Sequence, residues 1–234
     1  MAMPESLRGR LRLPVVAAPM FLVSGPELVI EASRAGILGT FPALNQRSSE
    51  GFEAWLTEIR ETLEPLGEDA APYGVNLIVH RTNPRLEADL ELCVKHRVPV
   101  VITSLGAVAD LVDAVHGYGG VVFHDVVNLR HARKAADAGV DGLIAVAAGA
   151  GGHAGSMSPF ALVTEIRQFF DKTVLLAGCM GDGRHVAAAR ALGADLAYMG
   201  TRFIATRESR APAEYKDTVS YTHLTLPTTC TPCR

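Results

Sequence analysis

Short apolar runs rich in β-branched residues alternate along the chain with longer segments in which apolar residues recur every three or four positions. Eight such runs are bounded by turn-forming residues: 14–20, 36–41, 73–79, 98–104, 120–126, 142–148, 173–178 and 196–201. Several of the longer segments close on glycine, which favours the left-handed conformation that ends a helix. The alternation predicts repeated βα units around a parallel sheet.

Eight strands in this order favour an α/β fold of the (β/α)8 TIM-barrel class over an open, doubly wound sheet. A length of 234 residues with 48% hydrophobic content is compatible with one domain that has a large core. We expect the barrel domain over residues 1–218, followed by an atypical tail over residues 219–234 that is rich in Thr and Pro. The tail is expected to be disordered or of foreign origin. The barrel itself is expected to be truncated after its eighth strand.

Charge and the lengths of the apolar runs argue against several classes of function. A formal net charge of -3, without a run of Lys or Arg, gives no electrostatic footprint for nucleic acid. No apolar run reaches the roughly 18 to 20 residues that span a bilayer, and the first residues do not form a signal peptide. A lone Cys230-x-x-Cys233 pair does not support a metal site without further ligands. We therefore expect a cytoplasmic protein with neither a nucleic acid nor a membrane partner.

In a (β/α)8 barrel the active site lies at the C-terminal ends of the strands, so the residues after each run are the candidates for chemistry. Gly178, Gly181, Gly200 and Thr201 lie at the ends of the last two runs or directly after them. Such barrels commonly hold a phosphate there through backbone N–H groups. The same glycines are equally compatible with tight turns alone.

His153 follows the sixth run and has three glycines within two positions of it. An imidazole there can abstract a proton near neutral pH, and the glycines leave room for a ligand beside the ring. Asn76 is polar within an apolar run, so its side chain either bonds within the barrel or faces a ligand. Met20, at the end of the first run, is either a core residue or a contact at the barrel mouth. His80 and His124 are weaker candidates for the same rim.

Five segments in order resemble the nitronate monooxygenases, also called 2-nitropropane dioxygenases. They are AAPM (17–20), GVN (74–76), AGAGGHAG (148–155), AGCMGDG (177–183) and LGADLAYMGTRFIATRES (192–209). The resemblance runs from about residue 11 to residue 210. It implies an FMN-dependent barrel that oxidises alkyl nitronates with molecular oxygen to a carbonyl compound and nitrite.

The resemblance also implies roles for individual residues. His153 is similar to the active-site base of the family, and Met20 to the residue beside the isoalloxazine ring. The remaining flavin-binding positions implied are Asn76, Gly151, Gly178, Cys179, Gly200 and Thr201. The expected cofactor is FMN, and the expected partners are a small-molecule substrate and molecular oxygen.

Other functions remain open from the sequence. One is a flavin-dependent NAD(P)H reductase of the enoyl-ACP or quinone reductase type on the same barrel. Another is a flavin-free, phosphate-binding isomerase or lyase. A third is a fragment of a barrel that has no activity.

Overall fold

The computed structural model describes residues 3–106, 109–152 and 155–221. Eight parallel strands of this part of the chain close into a barrel in sequence order, with the last strand paired to the first. They are β1 (Val15–Ala17), β2 (Leu38–Pro42), β3 (Tyr73–Ile78), β4 (Val100–Ser104), β5 (Val121–Val126), β6 (Gly142–Val146), β7 (Thr173–Ala177) and β8 (Leu196–Met199). Each overlaps the run predicted for it, so the (β/α)8 fold is confirmed.

Seven helices connect consecutive strands around the outside of the barrel, and two more follow the last strand in the described part of the chain. They are α1 (Pro26–Arg34), α2 (Ser49–Leu63), α3 (Leu86–Lys95), α4 (Ala109–His116), α5 (Leu129–Asp137), α6 (Pro159–Arg167), α7 (Gly183–Leu192), α8 (Thr201–Ile204) and α9 (Ala213–Val219). The side chains of Ser48 and Asn128 accept backbone N–H groups at the starts of α2 and α5, as polar N-cap residues do. Gly193 ends α7 in the left-handed conformation that its sequence predicts.

The hydrophobic core has two layers because successive strand residues point alternately into the barrel and towards the helices. The inner layer is built from Val16, Leu38, Val100, Ile102, Val121, Phe123, Ile144, Leu175 and Leu196. Leu7 is fully buried in the same cluster, so the segment before β1 contributes to the inner core. In the outer layer, Phe41 of β2 packs edge-on against Trp55 of α2. The barrel is thus filled with side chains and offers a ligand site only at its ends.

Two aspartates tie the starts of neighbouring strands together. Asp141, directly before β6, accepts the N–H of Val122 through Oδ2 at 2.8 Å. Asp195, directly before β8, accepts the N–H of Val174 at 2.9 Å and pairs with the Arg167 guanidinium. These bonds brace the N-terminal end of the barrel, opposite the end where (β/α)8 enzymes carry their chemistry.

The described residues include the first part of the expected tail. Val219, the last residue of α9, is buried, and the description ends at residue 221. Residues 222–234 of the expected tail, with its Cys-x-x-Cys pair, lie outside the described residues. No helix in the described ranges is long and apolar enough to cross a membrane. Those ranges also contain no group of three or more His, Cys, Asp or Glu side chains arranged to hold a metal ion.

Candidate active site

The loop between β1 and α1 holds Met20 at the mouth of the barrel. Asn45 Nδ2 donates to the carbonyls of Met20 at 3.0 Å and Ser24 at 2.8 Å. Asn45 Oδ1 accepts the N–H of Leu22 at 2.9 Å, and the Ser24 hydroxyl accepts the Met20 N–H at 3.0 Å. A Cβ at Gly200 would lie 3.5 Å from Met20 Sδ, so the loop after β1 and the turn after β8 are in contact.

Three polar side chains form a hydrogen-bonded row inside the mouth, on β3, β4 and β5. Asn76 Nδ2 donates to Ser104 Oγ at 2.8 Å, and Ser104 Oγ donates to Asp125 Oδ2 at 2.5 Å. Asp125 Oδ1 is buried and has no hydrogen-bond partner among the described residues. Burial raises the pKa of Asp125 to about 6, against the opposing effect of the Ser104 hydrogen bond. Burial, and secondly the charge of Asp125, also raises the pKa of Tyr198 on β8 well above its usual value.

The glycine-rich segment after β6 packs tightly against the barrel at Gly155 and is open to solvent at Gly151 and Gly152. A Cβ at Gly155 would lie 2.1 Å from the carbonyl oxygen of Val146, so only glycine fits there. At Gly151 and Gly152, a Cβ would have no described atom within 4 Å. Packing within the described chain therefore does not require glycine at 151, and a flat ligand has room to lie against that backbone. His153, the expected base, lies outside the described residues.

The turn after β7 lies against the same segment. Gly178 and Cys179 have φ values of 152° and 47°, and the second is an unusual conformation for a residue with a side chain. The Cys179 N–H donates to the Gly149 carbonyl at 3.2 Å, which ties the two loops together. Cys179 is exposed. The described parts of the loops after β6 and β7 are therefore in contact.

A phosphate is less favourable at the turn after β7 than at the turn after β8. At the start of α7, the Asp182 carboxylate accepts the backbone N–H groups of Arg184 and His185. The Arg184 side chain and, secondly, the His185 N–H lower the pKa of Asp182 to about 2. This negative charge disfavours a phosphate at the start of α7. Thr201, directly after Gly200, is exposed, and its hydroxyl has no hydrogen-bond partner among the described residues. The turn after β8 is therefore the better place for a phosphate.

The structure brings most of the predicted site residues to one end of the barrel. Those at the C-terminal ends of strands or directly after them are Met20, Asn76, Gly151, Gly178, Cys179, Gly200 and Thr201. The N–H of Gly181, which was expected to help hold a phosphate, instead donates to His185 Nδ1 at 3.0 Å. His124 faces the helices instead of the rim: it is 5% exposed, bonds to Thr103, and has its pKa lowered to about 4 by burial. His80 is exposed beyond the end of β3.

Sequence reasoning missed three residues that shape this site, namely Asn45, Ser104 and Asp125. The sequence shows Asp125 as a single carboxylate without a partner. The signal that selected Asn76, a polar residue at an inward position of an apolar run, applies equally to Asp125, which shares its strand face with Phe123. Asn45 lies in a short 3-10 turn after β2, and no motif marks it.

Comparison with known proteins identifies relatives of this barrel. The family model described as nitronate monooxygenase matches residues 9–226. The chain is 32% identical over 203 residues to (3aS,4S,5R,7aS)-5-hydroxy-7a-methyl-1-oxo-octahydro-1H-indene-4-carboxyl-CoA dehydrogenase of Rhodococcus jostii. It is 30% identical over 232 residues to nitronate monooxygenase of Neurospora crassa. These matches cover 87% and 85% of this chain, but only 55% and 61% of the two relatives. The chain thus spans a little over half the length of these relatives.

Solved structures share the architecture as well. FabK from Thermotoga maritima superposes with a TM-score of 0.80 at 30% identity, over 91% of this chain and 65% of that one. A nitroalkane oxidase from Streptomyces ansochromogenes superposes with a TM-score of 0.79 at 26% identity, over 91% of this chain and 72% of that one.

Proposed function

The chain belongs to the nitronate monooxygenase family of oxidoreductases, and from this premise we propose that it binds FMN and oxidises alkyl nitronates with molecular oxygen. The products are a carbonyl compound and nitrite. The observation that carries the proposal is the open glycine backbone at Gly151, at the same barrel mouth as the Met20–Gly200 contact. A Cβ at Gly151 would enter the space that a flat ring needs.

The residues around this opening fit the parts of a flavin mononucleotide. Met20 supplies a polarizable side chain for one edge of the ring system. Asn76, on the inner wall, supplies a polar group for the ring. The Gly200–Thr201 turn offers the phosphate a hydroxyl that has no partner among the described residues.

Bound FMN would supply the redox chemistry, since it takes electrons from the nitronate and molecular oxygen takes them up. The chain's own residues hold the ring and exchange protons with the substrate. We assign the proton transfer to His153, because an imidazole titrates near neutral pH. His153→Ala is expected to lower turnover by about two to four orders of magnitude while FMN remains bound. Unchanged kinetics in a flavin-replete variant would contradict this role.

A second candidate is a flavin-dependent dehydrogenase or NAD(P)H reductase on the same barrel. The observation that favours it is the 32% identity to a relative named as a carboxyl-CoA dehydrogenase. In this function, electrons pass between the flavin and a nicotinamide or a carbon–oxygen or carbon–carbon bond. The same residues would hold the ring, so the two functions differ in the electron donor and acceptor.

The test is a visible absorption spectrum of the purified protein with added FMN. A nitronate, and in a separate cuvette NADPH, is then added without oxygen. A bound-flavin spectrum that bleaches only with the nitronate supports the proposal, and release of nitrite on admission of oxygen identifies the product. Bleaching by NADPH alone favours the second candidate. A folded protein that binds no flavin refutes both and favours a flavin-free, phosphate-binding isomerase or lyase.

A further inference from the structure

The row formed by Asn76, Ser104 and Asp125 has hydrogen-bond directions that chemistry fixes. Asn76 Nδ2 lies 3.3 Å from the carbonyl oxygen of Ile102, and a carbonyl only accepts, so the amide NH2 group must face it. An ionised carboxylate also only accepts, so the Ser104 hydroxyl donates its proton to Asp125. Ser104 Oγ is then an acceptor for the other hydrogen of Asn76 Nδ2.

The Asn76 amide therefore uses both of its N–H groups within the barrel wall. Its Oδ1 has no donor among the described residues, although the residue is only 6% exposed. Unlike Asp125 Oδ1, this oxygen is not fully buried, so a ligand at the mouth can supply its donor. The isoalloxazine ring of oxidised FMN carries an N–H donor of the required kind, the imide N3–H.

We propose that Asp125 is a positioning residue of the flavin site, which acts through Ser104 to lock the Asn76 amide so that its Oδ1 accepts the flavin N3–H. The inference rests on the proposed function, because it requires that a flavin binds at this mouth. Asp125 does not touch the flavin in this arrangement. Its buried and unpartnered Oδ1 is unfavourable for folding, so stability alone does not explain a carboxylate at this position.

Protonation of Asp125 removes the lock. A protonated carboxyl carries its own donor, so the Ser104 hydroxyl is free to turn towards Asn76 and the amide loses its fixed orientation. Because burial raises the pKa of Asp125 to about 6, the lock holds above that pH and weakens below it. Among the described residues, Tyr198 is the titratable side chain whose pKa responds to Asp125, and it stays protonated throughout this range. His124, beside Asp125 in sequence, faces the helices.

The experiment is a titration of the protein with flavins, followed by the quenching of flavin fluorescence. Binding of FMN is compared at about pH 7.5 in the wild type, Asp125→Asn and Ser104→Ala, and each variant is expected to bind about tenfold more weakly. Asp141→Asn is the matched control, because it makes the same replacement at a hydrogen-bonded carboxylate at the opposite end of the barrel. This control is expected to bind FMN as the wild type does.

The pH dependence is measured with riboflavin, because the phosphate of FMN titrates in the same range. Wild-type affinity for riboflavin is expected to fall about tenfold between about pH 7.5 and pH 5, and the Asp125→Asn profile is expected to be flat. A flavin methylated at N3 provides a second measure. The wild type is expected to bind it at least tenfold more weakly than riboflavin, and Asp125→Asn and Ser104→Ala are expected to discriminate less between the two.

The outcomes separate the inference from the proposed function. A wild-type protein that binds neither FMN nor riboflavin refutes the proposed function, and this inference with it. A wild type that binds flavin, with variants that keep its affinity and its discrimination against the N3-methyl group, overturns the positioning role alone. Equal losses in Asp125→Asn and Asp141→Asn also overturn it, because they indicate a general effect on the fold.

Discussion

Two neighbouring residues of β5 give the protein opposing dependences of stability on pH. His124 faces the helices and Asp125 faces the barrel interior, and burial moves both away from their ordinary pKa values. The pKa of His124 falls from 6.5 to about 4, and the pKa of Asp125 rises from 3.8 to about 6. In both cases burial disfavours the charged form, so opposite shifts have one cause.

The sign of each contribution follows from which state holds the proton. Between about pH 4 and 6.5 the unfolded chain protonates His124 and the folded barrel does not, so this contribution to stability is lost as pH falls through that window. Between about pH 3.8 and 6 the folded barrel keeps the proton of Asp125 and the unfolded chain releases it, so stability is lost as pH rises. Each of these two changes in pKa corresponds to about 3 kcal/mol.

In the wild type these two contributions largely cancel. Asp125→Asn removes one of them, so its free energy of unfolding relative to the wild type should rise by about 3 kcal/mol from pH 4 to pH 6.5. His124→Asn should give the opposite slope. Urea unfolding followed by the fluorescence of Trp55, the one Trp of the chain, measures both. Asn128→Ala is the control, because it removes an uncharged N-cap side chain and should lower the free energy of unfolding by the same amount at every pH. If all three variants run parallel to the wild type, burial does not shift these groups and the reasoning is refuted.

Further predictions concern the loops at the mouth. Asn45→Ala removes three hydrogen bonds from the β1–α1 loop and should lower the free energy of unfolding in urea by about 2 kcal/mol; an unchanged midpoint would show that the loop does not depend on them. Gly155→Ala, whose Cβ would lie 2.1 Å from a carbonyl oxygen, should destabilise the barrel by about 2 kcal/mol or more. Gly151→Ala should leave unfolding unchanged and weaken FMN binding in a fluorescence titration; normal binding would argue against the ring position. Thr201→Val should weaken FMN binding by about tenfold or more, through loss of a phosphate hydrogen bond of roughly 1.5 to 3 kcal/mol, and equal affinity would exclude that contact.

The barrel was predictable because its signals are local: apolar runs bounded by turn residues mark strands wherever the chain places them. The same locality predicted that Gly200 and Met20 lie at one end, since parallel strands bring their C-terminal ends together. The hydrogen-bond partners of a side chain could not be predicted from such local signals. Asn76 bonds to Ser104 because β3 and β4 pair with Asn76 opposite Ile102, and register of this kind is not contained in either strand alone. The expectation that His124 reaches the rim is wrong for a simpler reason. Adjacent strand residues face opposite sides, so only one of His124 and Asp125 can point inward.

The two aspartate braces at the N-terminal end of the barrel follow one design. Each aspartate closes a Gly-x-Asp triplet, at 139–141 and 193–195, and each also donates its own N–H to the valine whose N–H it accepts. In both cases an even-numbered strand is locked to the odd-numbered strand before it. The C-terminal half of the barrel is therefore a tandem of two like modules, each of which sets its own strand register. Because the two modules share neither an aspartate nor a strand, loss of one brace is expected to leave the register of the other strand pair intact.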